Sequence, residues 1–174
     1  MTSRRRRISV GILLCLVIFP SRLPGTTSTL SATESLSITD VNSGNSASHT
    51  CALLNDNTIR CWGYNNSGQL GLGDTNSRGD DPNEMSSFLP AVDVGAGIIS
   101  KVRVNGNFSC VLMTSGRVRC WGVNNSGQLG VGNTSNRGDQ SNEMGSNLQD
   151  IDFGSGRTAT DFALGGYHAC AILD

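Results

Sequence analysis

Cysteine spacing is the first place where this chain could do chemistry. Cys51 and Cys61 stand ten residues apart, Cys110 and Cys120 repeat that step, and Cys170 follows without a counterpart. A sixth, Cys15, lies in an apolar N-terminal run. Thiols at such positions can form cross-links, remain buried and free, or hold a metal. Zinc sites usually bring Cys or His ligands within a few residues of one another, and a ten-residue step beside one His does not. The favoured reading is a disulfide within each pair, Cys51–Cys61 and Cys110–Cys120, with buried free thiols as its alternative. No metal or cofactor is expected.

The remaining reactive side chains point elsewhere than catalysis. His49 and His168 each precede a Cys by two residues, and the middle copy has Phe108 there. A ring that alternates with phenylalanine is read as a packing or hydrogen-bonding group. Arg78-Gly79-Asp80 and Arg137-Gly138-Asp139 could suggest an adhesion tripeptide, yet both occupy one repeated position, which loop geometry explains equally well. Asp74, Asp80, Asp81 and Glu84 could offer oxygens to calcium, but the second copy has Asn133, Asp139, Gln140 and Glu143; a solvated loop is the expectation. Asn65, Asn107, Asn124 and Asn133 open N-x-[ST] sequons. Acids are scattered without a His or Lys beside them, so the carboxylate pair of a glycosidase does not assemble. No catalytic residue is assigned.

The elements that must position these residues come in copies. Arg60 to Gly73 reads R-C-W-G-Y-N-N-S-G-Q-L-G-L-G, and Arg119 to Gly132 differs only at two positions. The step is 59 residues, and a third start, Gly166 to Cys170, follows at a step of 60, with the insertion placed near Gly165. Within one copy, Cys51, Leu53, Ile59 and Cys61 alternate with polar residues about a turn at Asn55-Asp56-Asn57, the pattern of a hairpin with one apolar face. A three-residue loop puts a left-handed residue third, the slot of Asn57 and Gly116. Counting outward, Cys51 faces Cys61 at a non-hydrogen-bonded site. The Gly-rich run after the hairpin lacks the Lys and helix of a phosphate loop, and is read as sharply turning backbone anchored by Leu70 and Leu129. Trp62 and Trp121 are expected to give the core its largest apolar areas. Leu89 to Gly95, Ile99 to Asn105 and Ala159 to Leu164 complete about four short strands per unit, the period of propeller blades.

These residues resemble a known family. The string H-T-C-A-L-L-x(4)-I-R-C-W-G-Y-N-N-S-G-Q-L-G-L-G is similar to the regulator-of-chromosome-condensation repeat, and to its secreted, Cys-bearing variants described as alpha-tubulin-suppressor-like. The resemblance implies an all-β propeller, usually of seven four-stranded blades. This chain would hold about two blades and the start of a third, cut within its hairpin, and such open sheet edges invite self-pairing. The founding member is a nuclear guanine-nucleotide exchange factor for a small GTPase; many relatives use the propeller as an interaction surface.

Composition points away from the nucleus. Arg4 to Arg7 precede an apolar run from Ile8 to Pro20 and a Ser/Thr-rich stretch, the layout of a secretory signal peptide. The run is short of the roughly 20 residues of a membrane span; an uncleaved signal anchor is the one route expected to a membrane. The organisation is read as signal peptide 1–28, linker 29–45 and repeats 46–174. Without residues 1–28, eight basic and fourteen acidic residues remain. An acidic body without a basic stripe does not suit nucleic acid. The chain is therefore read as an exported scaffold for an unidentified protein partner, without catalysis. The alternatives are an exchange factor for a small GTPase and a carbohydrate-active propeller enzyme.

Overall fold

The computed structural model describes residues 35–174. The signal segment, Cys15 and the first part of the linker lie outside the described residues.

Two apolar faces of short alternating strands cannot be buried by one hairpin, and the fold solves this by stacking sheets. The first sheet has the order β1 (Ile38–Asn42), β2 (His49–Leu54), β3 (Ile59–Gly63), and the second β4 (Ile99–Asn105), β5 (Phe108–Met113), β6 (Val118–Gly122). The third pairs β7 (Ala159–Leu164) with β8 (Ala169–Leu173). Every pairing is antiparallel. A bulge recurs near the start of β1, β4 and β7; an extra residue there bends the strand and increases its twist.

The hairpins follow from their turns. Leu54 N donates to Thr58 O at 2.9 Å and Asn57 N to Leu54 O at 3.0 Å, closing a three-residue loop whose third member, Asn57, has φ 67°. Gly116 takes that slot in the second copy with φ 80°. This loop sets the register: Cys51 faces Cys61 and Cys110 faces Cys120. The turns also reach onward. Asn57 Oδ1 accepts from Ile99 N at 2.7 Å, and Gly116 O accepts from Ala159 N at 2.9 Å, so each hairpin tip ties down the start of the following sheet.

Two clusters form the core. One joins the first and second sheets and holds Cys51, Leu70, Val102, Val111 and Trp121. The other joins the second and third and holds Phe108, Cys110, Leu129 and Phe162. Strand β4 lies beside both β1 and β7, and Asp40 and Asn42 of β1 accept from the backbone of Val102 and Val104 at 3.2 and 2.8 Å.

Three expectations are corrected. The stretch 29–45 was expected to be linker, but Ile38–Asn42 is a strand, because Val41 and Asn42 pair with Ala52 and Cys51. The fourth strand of each unit does not form. Leu89 to Gly95 keeps one ladder bond, Val92 N to Ile59 O at 2.8 Å, and its counterpart keeps Ile151 N to Val118 O at 2.8 Å with one bridge, Arg119 to Asp150. In the first copy Pro90 has no N–H to give a ladder; the second has Gln149 there. Finally Trp121 is fully buried under the Gln69–Gly71 loop of the preceding repeat, whereas Trp62 is only partly buried.

A Cβ at Gly116 would sit 2.5 Å from Thr158 Cβ and impose strain at positive φ. Gly116→Ala is expected to lower unfolding free energy by about 2 kcal/mol, read by urea denaturation, with Gly116→Asn milder because Asn tolerates that conformation.

Candidate functional site

The N-N-S-G-Q-L-G run makes a loop that hydrogen-bonds itself shut. Asn65 is fully buried; its Oδ1 accepts from Leu70 N at 2.8 Å, and its Nδ2 donates to the carbonyls of Asp74 and Asn76, both at 2.9 Å. Gln69 Oε1 accepts from Ser67 N at 2.9 Å. Asn124 and Gln128 repeat these contacts. Leu70 and Leu129 are driven fully into the core. The sequon amides of Asn65 and Asn124 are therefore spent inside the folded chain, while Asn133 is exposed.

That loop carries the joint between the first two repeats. Gln69 O accepts from the indole Nε1 of Trp121 at 3.0 Å and from Ser109 Oγ at 2.8 Å. Ser109 Oγ in turn lies 2.7 Å from His49 Nε2. Because the hydroxyl gives its one hydrogen to Gln69 O, His49 carries its proton on Nε2 and donates it to Ser109. Nδ1 is buried without a partner, as a neutral ring allows. Burial lowers the His49 pKa to about 4. This Ser–His pair is what a search for a nucleophile looks for. It is sealed: Ser109 is wholly buried, and no carboxylate orients the ring. Spacing could not reveal it, since its members are 60 residues apart. His168 is exposed instead of packed.

Of the four paired cysteines, Cys51 and Cys61 lie in the cluster at this joint and Cys110 and Cys120 in the second cluster. Cys51 Sγ and Cys61 Sγ are 2.06 Å apart and Cys110 Sγ and Cys120 Sγ 2.00 Å, disulfide distance in both cases, and all four residues are fully buried. Cα separations of 4.1 Å belong to close cross-strand neighbours. Cys170 is exposed and free.

The outer loops hold the other candidates. Arg78 Nη2 pairs with Asp74 at 2.7 Å, and Glu84 Oε2 accepts from Gly79 N and Asp81 N at 2.9 and 3.2 Å. The first Arg-Gly-Asp turn is thus braced by its own acids. The second copy repeats the brace, Glu143 Oε2 taking Gly138 N and Gln140 N at 2.9 and 3.1 Å. Its surroundings differ, because it abuts the first repeat: Gly73 N donates to Gly138 O at 3.0 Å. Hydrogen bonds to Gly79 and Asp81 lower the Glu84 pKa, whereas burial and then the Asp139 carboxyl raise that of Glu143. Among the described residues no His, Cys, Asp and Glu cluster has the arrangement of a metal site.

Between the two repeats these loops enclose a cleft of about 540 Å³. Leu72, Asp74, Arg78 and Asp93 line it from the first repeat, and Gln140 and Met144 from the second. Just before it, a 3-10 turn (Ser86–Phe88) holds Phe88 out to solvent, 65% exposed. Sequence reading did not single out Phe88, which stands where the other copy has Asn147.

Comparison with known proteins places the chain. Profiles of the regulator of chromosome condensation (RCC1) repeat match residues 57–98 and 115–172, and a second profile of the same description matches 38–69 and 99–128. The chain is 37% identical over 91 residues to the human probable E3 ubiquitin-protein ligase HERC4, covering 51% of this chain and 8% of that protein. It is 35% identical over 88 residues to the mouse X-linked retinitis pigmentosa GTPase regulator, covering 51% and 8%. It thus spans under a tenth of the length of these curated relatives. Among solved structures, human WBSCR16 superposes with a TM-score of 0.60 at 18% identity, over 83% of this chain and 33% of that one. Prp20p of Saccharomyces cerevisiae, described with its binding to Gsp1p and histones, gives 0.56 at 14%, over 79% and 31%. The fold is that of this propeller type, in part of a ring.

Two measurements bear on the joint. The unfolded chain protonates His49 near pH 6.5 and the folded chain near 4, so stability present above pH 6.5 is lost as pH falls through that window, by up to about 3 kcal/mol. His49→Phe, which copies Phe108, is expected to remove that part of the slope, as read by urea titrations from pH 7 to 4. Non-reducing mass spectrometry is expected to find Cys51–Cys61 and Cys110–Cys120 each lighter by two hydrogens, and reduction to cost roughly 3 kcal/mol per cross-link by the chain-entropy relation.

Proposed function

The chain belongs to the regulator of chromosome condensation repeat family, and from that premise we propose that it is an exported, non-enzymatic scaffold whose loop face binds another protein. The observation that carries this is the division of its side chains. Ser109, His49 and the four paired cysteines are buried, while the cleft presents backbone and mixed charge and Phe88 stands exposed in the chain just before it. Large aromatics and Met are enriched where proteins meet, and Met85 stands 38% exposed three residues before Phe88. A cleft whose charged lining is Asp74, Asp93 and Arg78 suits a polypeptide surface better than a phosphate backbone, which calls for a basic stripe.

Export is supported by the basic block and apolar run before residue 21 and by cysteine pairs at disulfide distance, a pairing that persists in oxidising compartments. Absence of catalysis is supported by the burial of Ser109 and His49 and by loop acids that bond the amides and the Arg of their own loops. Ligase activity and GTPase regulation appear in the names of relatives of which this chain matches a small part, and a shared fold does not carry activity with it.

Phe88→Ala is expected to leave the unfolding midpoint unchanged and to weaken capture of a cross-linked partner by more than tenfold, a typical loss for an interface anchor. Capture of the same partner at equal strength by both forms would overturn the assignment of this face. Residues 1–28 fused to a reporter are expected to deliver it to the medium; retention inside the cell would remove export.

A further inference from the structure

Asn65, Asn107, Asn124 and Asn133 each open an N-x-[ST] sequon, and the fold treats them unequally. Asn65 and Asn124 are fully buried, and each Nδ2 gives its hydrogens to two backbone carbonyls at 2.9 Å. A sugar on either nitrogen replaces one of those hydrogens and finds no room, so a chain modified there cannot close the loop. Asn107 is partly buried at the tip of the β4–β5 hairpin. Phe108 and Ser109, which follow it, are fully buried, and the next hairpin presses on the same tip: a Cβ at Gly106 would stand 2.5 Å from Gly166 O. Of the four, Asn133 is the exposed one.

The Asn133 amide is also free to react. Its Oδ1 accepts from Ser135 N at 3.0 Å, which folds Asn-Thr-Ser into an Asx turn. Its Nδ2 reaches Val131 O only at 3.5 Å, too far for a good hydrogen bond. That nitrogen can lose a hydrogen without cost to the fold. In the first copy the same position is Asp74. Asp74 Oδ1 accepts from Asn76 N at 2.9 Å in the same turn, and Oδ2 takes Arg78 Nη2 at 2.7 Å. An amide nitrogen cannot accept from a guanidinium, and Arg137 Nη1 turns to Asn136 O at 2.8 Å instead. The second repeat has exchanged an ion pair for a free amide. The position stays open even where the following repeat packs on the loop. Gly73 N bonds Gly138 O there, yet Asp74 keeps 33% of its side chain exposed, and Thr75 and Asn76 are exposed as well.

We propose that Asn133 carries an N-linked oligosaccharide in the exported chain, and that Asn65 and Asn124 do not. Transfer forms a bond from Asn133 Nδ2 to the anomeric carbon of a polyprenyl-diphosphate oligosaccharide. The bond from that carbon to the phosphate oxygen breaks, the polyprenyl diphosphate leaves with the electron pair, and the transferase takes one amide proton. Oδ1 is untouched, so the turn to Ser135 persists. This rests on the export reading, because donor and transferase are met on the secretory route. It uses none of the residues around Phe88.

The test expresses the full chain in eukaryotic cells, once with its own residues 1–28 and once with a leader of proven export in their place. Secreted protein is treated with peptide-N-glycosidase in heavy-oxygen water, which turns a glycan-bearing Asn into an isotope-labelled Asp. Peptide mapping is expected to find the label at Asn133 and none at Asn65 or Asn124. Ser135→Ala is expected to abolish the label at Asn133 while the chain still folds, since Ser135 serves the loop through its backbone N–H and C=O. Where the chain is held within the secretory compartment, Asn133 is mapped on protein extracted from it. Retention with residues 1–28 beside labelled Asn133 with the other leader would remove the export reading and uphold the acceptor. Unlabelled Asn133 in chain that has entered the compartment, or label at Asn65 or Asn124 in secreted chain, would overturn the proposal.

Discussion

The bond from the Trp121 indole to the Gln69 carbonyl, 3.0 Å long and wholly buried, is the contact on which the arrangement depends. A three-stranded sheet of this size cannot hide its own apolar face. It must borrow the next sheet, and the borrowing needs one large side chain that crosses the gap. Indole does so with a large apolar area and one donor that must be satisfied. The acceptor is a backbone carbonyl turned outward by the loop, and the loop turns it outward because Asn65 holds both its ends. Sequence, loop, and joint are thus one chain of cause: Asn65 shapes the backbone, the backbone aims Gln69 O, and Gln69 O receives Trp121.

Burial at this joint changes what identical residues do. Glu84 and Glu143 bond the same two loop amides, yet their acidity moves in opposite directions. Only the second loop is covered by a neighbouring repeat, where Asp139 loses solvent and its Oδ1 finds no partner. His49 shows the same rule with the sign reversed, since burial disfavours the charged ring. Asp150 resists burial because Arg119 and Arg117 outweigh it and hold its carboxyl below the usual range. Repetition of sequence therefore does not repeat electrostatics; position in the stack decides them.

Local features were legible in the sequence and cross-repeat ones were not. The hairpin could be read because turn chemistry at Asn57 and Gly116 acts over a few residues and sets which cysteines face each other. β4 and β7 begin and end where alternation places them. Ile38–Asn42 escaped because a short, mostly polar strand has no pattern of its own; it is ordered by pairing with β2 and by lending Asp40 and Asn42 to the backbone of β4. The fourth strand was overread, because an apolar alternation at Val92 and Val94 records burial, not a ladder. The Ser109–His49 contact escaped for a third reason: it joins residues a full repeat apart, where only the stacking geometry knows that they meet.

Where copies agree, the cause is the joint; where they differ, the surface is free to specialise. Asn, Gln and the turn glycines are the same in both full copies because each has a loop hydrogen bond or a backbone conformation to satisfy. Phe88 faces no such demand. Its counterpart Asn147 donates to Asn142 O at 2.9 Å and so braces its own loop, a bond that phenylalanine cannot make. Exchanging that brace for an exposed ring gives up local stabilisation and adds an apolar cost in water. Within a family whose fold hosts many activities, departures from the repeat that cost the monomer something are where a particular chain's partner should be sought. By this reasoning the loop around Phe88 carries more information about this protein than the motif that identifies its family.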